Sequence, residues 1–173
     1  MTRPAVILDE LQAVFAQLEE APLRALAVAV DRAARVVCAG QGRSGLVAAA
    51  FAVRLGHLGV DARVAGEASQ PAVGRGDLLI ALSRGGATAI TLHRAERARN
   101  AGAVVAAVTA RTGSPLEAGA DLAVIFPATD SLQYGGSLFE QAALIAADSV
   151  AGALQAARAL SDPDLAARHD NLQ

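Results

Sequence analysis

Apolar positions first recur at helical spacing, at Leu8, Leu11, Phe15 and Leu18, and Glu19–Glu20 close that segment ahead of Pro22. Pro22 suits the opening of a second helix, which runs to about Ala34 along Leu23, Leu26 and Val30. From Arg35 onward the pattern changes. Short apolar runs at Arg35–Ala39, Asp61–Ala65, Asp77–Leu82, Ala103–Thr109 and Asp121–Phe126 lack strict alternation, as strands covered on both faces do. Between them, Ser44–Leu58, Thr88–Ala101 and a shorter turn near Ser114–Ala118 have helical character. Ser137–Leu160 reads as a long closing helix, and Ser161–Gln173 as a polar tail that starts with another short helix.

Alternating β and α elements predict an α/β fold, a three-layer sandwich with a five-stranded parallel sheet between helices. Residues 1–173 read as a single domain: N-terminal helices over 1–34, an α/β core over 35–160 and a C-terminal tail over 161–173. Right-handed crossovers bring the strand C-termini to one edge, where ligands bind at a switch in strand order. The chemistry is therefore sought on the loops that follow the strands.

Composition narrows the function classes. With 53% hydrophobic and 18% charged residues the 173-residue chain is globular and long enough to bury a core. A formal net charge of -2, 3% aromatics and no Trp argue against nucleic acid as a partner. No apolar run approaches the roughly 18 residues of a membrane span, and no secretory segment is visible, so the expected setting is cytoplasmic. Cys38 is the only cysteine and sits in an apolar run, which suits a small buried hydrophobe better than a nucleophile. No histidine–carboxylate group has metal-ligand spacing, so no metal is expected.

Three glycine-bearing loops carry the candidate chemistry. Gly40–Gln41–Gly42–Arg43–Ser44–Gly45 follows the first strand and opens a helix, where free N–H groups favour an anion. It has the form of a dinucleotide fingerprint, and Glu67 lies where a ribose-binding acid would fall. Arg43 and Ser44 suit a charged, hydroxylated small ligand equally well, so both readings stand on this loop alone. Ser83–Arg84–Gly85–Gly86–Ala87–Thr88 also follows a strand and opens a helix, with two hydroxyls and exposed amides that could cradle phosphate. A plain helix cap is the alternative. Gly135–Gly136–Ser137–Leu138–Phe139–Glu140 precedes the long helix; Glu140 is either a capping-box partner of Ser137 or a general base at the cleft mouth. His57 suits the end of a helix or a subunit contact, His93 a solvated face, and His169 lies in a tail rich in polar chemistry.

Taken together these stretches resemble the SIS (sugar isomerase) family, and within it the 6-phospho-3-hexuloisomerases. The resemblance runs over nearly the whole chain. It is carried by Gly42–Arg43–Ser44–Gly45, Phe51–Ala52–Val53–Arg54–Leu55–Gly56–His57–Leu58–Gly59, Gly66–Glu67, Gly76–Asp77–Leu78–Leu79–Ile80, Ser137–Leu138–Phe139–Glu140 and the ending Arg168–His169–Asp170–Asn171–Leu172. It decides the first loop in favour of a sugar phosphate and implies a flavodoxin-like SIS fold. It also implies cofactor-free interconversion of 3-hexulose 6-phosphate and fructose 6-phosphate through an enediol. A related isomerase of another sugar phosphate, or a non-catalytic sugar-phosphate-binding module, are the alternatives. By the same resemblance Glu140 would be the base, with His57 and His169 assisting, the histidines supplied by a neighbouring subunit. Arg43 and Ser44 would contact sugar oxygens, beside Ser137. Ser83, Arg84, Gly85, Gly86 and Thr88 would surround the phosphate, and the assembly would be a homodimer or homotetramer. The second loop departs from the family's usual Ser-Gly-Ser-Gly-x-Thr: Arg84 replaces the first glycine and Gly85 the second serine. One hydroxyl donor is thereby exchanged for a charge, which is a compensating contact, an obstruction, or a means of favouring a different phosphorylated ligand. Ser137 stands where the hexuloisomerases usually carry Thr.

Overall fold

The structure, a computed structural model, describes residues 3–127 and 130–169. Asp170, Asn171 and Leu172 of the tail motif therefore lie outside the described residues. The elements run α1 (Pro4–Gln17), α2 (Glu20–Arg32), β1 (Arg35–Gly40), α3 (Arg43–His57), β2 (Ala62–Val64) and β3 (Asp77–Leu82). They continue α4 (Ala89–Asn100), β4 (Val104–Thr109), α5 (Pro115–Ala118), β5 (Leu122–Ile125), α6 (Ser137–Ala157) and α7 (Asp162–Ala166). The second helix opens at Glu20 rather than Pro22, because first-turn N–H groups have no intrahelical partner and proline loses nothing there.

All four strand pairings are parallel, in the order β2-β1-β3-β4-β5. Cys38 lies opposite Ile80, Ile80 opposite Ala106, and Val108 opposite Val124. The apolar runs hide a two-residue alternation between two buried faces. Val36, Cys38, Leu78, Ile80, Leu82, Ala106 and Val108 face the larger core beneath α1, α2, α3 and α6. Val37, Ala39, Leu79, Ala81, Val105 and Ala107 face the smaller core beneath α4 and α5. Both faces being apolar is why no polar alternation shows in the sequence. Cys38 is fully buried, and burial alone pushes its thiol up to about 12, so it packs as a hydrophobe.

This topology reverses direction between β1 and β3, and the loops after these strands flank the resulting crevice. The same sheet edge receives the N-termini of α3, α4 and α6. Phe126, just past β5, meets Phe139 of α6 edge-on at 5.8 Å and 86°, which seats the first turn of α6 over the strand ends. Burying two such rings stabilises that seat by roughly 2 kcal/mol each.

Candidate active site

The first loop owes its glycines to packing and backbone shape. A Cβ on Gly40 would come within 2.7 Å of the Ser44 carbonyl group, and one on Gly45 within 3.1 Å of the Gly40 oxygen. Strand and helix therefore meet backbone to backbone. Gly42, at φ 56° and ψ -131°, occupies a conformation that side chains avoid. The turn aims the first residues of α3, Arg43 and Ser44, at the sheet edge.

Arg43 is the hub of the site. Its Nε lies 3.2 Å from a carboxylate oxygen of Glu140, and its Nη1 donates to the Ser137 hydroxyl at 3.2 Å. Its Nη2 donates to the Gly135 carbonyl, and the guanidinium stands 5.7 Å over the Tyr134 ring. The Glu140 side chain is only 16% exposed, against 46% for Arg43, so the carboxylate is the sheltered partner. Of the two readings of Glu140, the capping box with Ser137 does not form. Gly136, left-handed at φ 94°, is the N-cap; the Ser137 hydroxyl donates to the Tyr134 carbonyl at 2.6 Å, and Glu140 turns to Arg43 instead. A capping box does occur at Ser161 and Asp164, opening α7.

The second loop is rigid at its base and open at its rim. Ser83 is buried and its hydroxyl lies 3.1 Å from that of Thr88, the N-cap of α4. The Gly86 amide donates to the Ser83 carbonyl at 3.0 Å. Gly86 has φ 61°, and a Cβ there would overlap Ser114. Arg84 and Gly85 are exposed. The Arg84 side chain does not fold away from the crevice. It extends to the turn before α6, where its Nε would lie 2.9 Å from a Cβ on Gly136. Arg84, Gly135, Gly136, Gln133 and Phe139 help to line a cleft of about 390 Å³ at this edge.

A wall of that cleft hangs on Glu10, which no motif or spacing in the chain singles out. Its carboxylate accepts from the Leu132 amide at 2.7 Å, and from the Ser131 hydroxyl and the Gln133 side-chain amide at 2.8 Å each. These donors, the Leu132 amide first, hold its carboxyl below the usual carboxylate value. Glu10 and its partners are more than a hundred residues apart in the chain, so spacing carried no signal.

His57 and His169 come together, but not beside Glu140. Their rings stack with centroids 3.9 Å apart, next to Arg54, Asp148 and Gln155 in a separate cavity of about 250 Å³. His57 ends α3 and Arg43 begins it, so fourteen residues at 1.5 Å each put about 21 Å of helix between them. Burial, then the charges of His169 and Arg54, lower the His57 value from 6.5. His93 is exposed on α4, as expected. No group of three or more His, Cys, Asp or Glu that could hold a metal lies among the described residues. No helix among them is long and apolar enough to cross a membrane. Another groove, of about 420 Å³ between α1, α2 and α6, is mostly apolar and carries none of the predicted site residues.

In comparisons with known proteins, the SIS domain profile matches residues 30–144. A 3-hexulose-6-phosphate isomerase of Mycobacterium gastri is 38% identical over 98% of this chain and 89% of its own. One from Bacillus subtilis is 34% identical over 98% and 96%. A solved structure from Methanococcus jannaschii superposes with TM-score 0.89 at 29% identity, covering 98% of each chain. It is described as a hypothetical protein whose structure infers a molecular function of 3-hexulose-6-phosphate isomerase.

Proposed function

The chain belongs to the SIS domain family, and from that premise we propose that it interconverts 3-hexulose 6-phosphate and fructose 6-phosphate. The observation that carries this reading is the Arg43–Glu140 pair, seated at the same sheet edge as the Ser83–Thr88 loop. A keto shift needs a base and a charge-stabilising donor on adjacent atoms of one substrate. The Glu140 carboxylate takes the proton from C2, the C3 carbonyl oxygen gains the electron pair, and Arg43 stabilises the oxyanion. The resulting enediolate takes the proton back at C3, while the O2 hydroxyl proton passes to O3 and O2 becomes the carbonyl. The redox change is internal to the sugar, so the reaction as written calls for no cofactor.

Ser83, Thr88 and the Gly85 backbone hold the phosphate, with the helix dipole of α4 behind them, while Gly86, its amide taken by the Ser83 carbonyl, shapes the turn. Arg84 reaches over the cleft and adds a charge-assisted contact in place of the missing hydroxyl. Arg43, Ser44 and Ser137 hold sugar oxygens. A homo-oligomer supplies His57 and His169 from a second subunit. Leu46, Ala50, Val53 and His57 follow one stripe of α3, with Leu46 72% and Val53 59% exposed. Arg43 and His57 are symmetric about Ala50. A twofold axis there sets Leu46 against the partner's Val53, and the partner's His57 beside Arg43 and Glu140.

The test is direct conversion, measured by coupling fructose 6-phosphate formation to a reporter enzyme. Wild-type protein is expected to turn over 3-hexulose 6-phosphate. Glu140→Gln should lose turnover while the substrate still raises its melting temperature. Unchanged kcat in Glu140→Gln would remove the base assignment, and an inert wild type would remove the substrate.

A further inference from the structure

We propose that Glu10, on the N-terminal helix, is a positioning residue for the isomerase site: it clamps residues 131–133 so that Tyr134 and Gly135 hold Arg43, and through it Glu140, in place. The proposal rests on the isomerase reading of that site.

Residues 130–136, ahead of α6, line the mouth of the cleft without regular structure of their own. Glu10 satisfies a backbone amide, a hydroxyl and a side-chain amide on three successive residues, Leu132, Ser131 and Gln133. Ser131 is braced again by the Gln133 amide, which donates to its hydroxyl at 3.1 Å. Immediately after this anchored stretch come the ring under the Arg43 guanidinium and the carbonyl that accepts from it. Ser137 then takes both its amide and its hydroxyl bond to the Tyr134 carbonyl, at 3.0 and 2.6 Å. The segment is thus pinned at one end by Glu10 and at the other by Arg43 and α6. α1 is itself fixed independently of this contact, since Leu11 and Val14 are buried in the main core. A carboxylate on a docked helix is a firm post, and ionised acceptors make hydrogen bonds roughly twice as strong as neutral ones.

Without the post, the 131–136 stretch explores other conformations, and Arg43 loses two of its four partners for part of the time. Glu140 then faces an unfixed guanidinium. The base of the phosphate loop keeps its bonds between Ser83, Gly86, Thr88 and β4, and the exposed Arg84 side chain, which lies against Gly136, can still reach phosphate from the rim. The signature of positioning is therefore a fall in kcat without weaker phosphate binding.

Tyr134 is the only tyrosine and there is no tryptophan, so tyrosine fluorescence anisotropy reports this segment alone. Glu10→Ala should lower the Tyr134 anisotropy and reduce kcat at least tenfold, with the competitive inhibition constant of inorganic phosphate changed less than twofold. Glu10→Gln keeps an acceptor oxygen and should recover part of both losses. Unchanged anisotropy in Glu10→Ala would overturn the clamp whatever the kinetics. A loosened segment with wild-type kcat, or a phosphate constant that weakens in step with kcat, would overturn the positioning role. If the wild-type protein does not turn over the hexulose phosphate, the isomerase reading fails separately, and the anisotropy still decides whether Glu10 holds the segment.

Discussion

Replacing Gly136 and Gly135 by alanine, one at a time, separates backbone strain from a displaced guanidinium. Both glycines have positive φ, 94° and 43°, so alanine at either position carries a left-handed penalty of about 1–2 kcal/mol. For a chain of this size that lowers Tm by roughly 2–8 °C in each variant. Their neighbours differ. A Cβ at Gly135 meets Nη2 of Arg43 at 3.8 Å, an ordinary contact, whereas one at Gly136 comes within 2.9 Å of Nε and 3.1 Å of Cδ of Arg84. The Arg84 side chain is flexible and exposed, so moving it adds little to the loss of stability. If Arg84 binds the substrate, moving it does cost function. A hydrogen bond to a charged group contributes about 1.5–3 kcal/mol; with solvent screening at this exposed rim we take the low end, about tenfold in kcat/KM. Gly136→Ala should therefore fall about tenfold below Gly135→Ala at similar Tm. Adding Arg84→Ala to Gly136→Ala should cost nothing further, a non-additive cycle. Steady-state kinetics and thermal melts of the four variants suffice. Equal kcat/KM for the two glycine variants, or full activity in Arg84→Ala, would refute a substrate contact by Arg84.

If the chain assembles as proposed, Leu46→Asp or Val53→Asp should leave it monomeric where the wild type is an oligomer, as read by light scattering. Mixing inactive Glu140→Gln and His57→Ala subunits should restore about a quarter of wild-type activity, because a hybrid of two subunits rebuilds one intact site; hybrids that form without activity would rule out histidines in trans. For pH, the His57 value is depressed in the folded chain, so the folded state binds fewer protons than the unfolded one. The stability this contributes is present above pH 6.5 and is lost as pH falls through the folded value. In an NMR titration His57 should titrate below 6.5, and His169→Ala should raise it; a midpoint at or above 6.5 in the wild type would contradict the stacked pair.

Local pattern was enough for much of this molecule. The order of helices and strands, the parallel sheet and the three glycine loops at its edge are all readable from runs of apolar residues and their punctuation, because each depends on near neighbours. Of the two local readings of Ser137 and Glu140, the capping box is the one the structure lacks: Gly136 is the cap, and a guanidinium from α3 holds the carboxylate. Tertiary structure alone decided what lay far apart in sequence. Arg43 meets Gly135, Ser137 and Glu140 across some ninety residues, and Glu10 meets Ser131, Leu132 and Gln133 across more than a hundred and twenty. His57 ends α3 with His169 stacked on it, about 21 Å of helix from Arg43, so within one chain they stand apart from Glu140, and only the packing of a second subunit could bring them to it. Spacing in a chain encodes which face a residue occupies, but which faces then meet is set by how helices pack onto the sheet, and no short window of sequence contains that information.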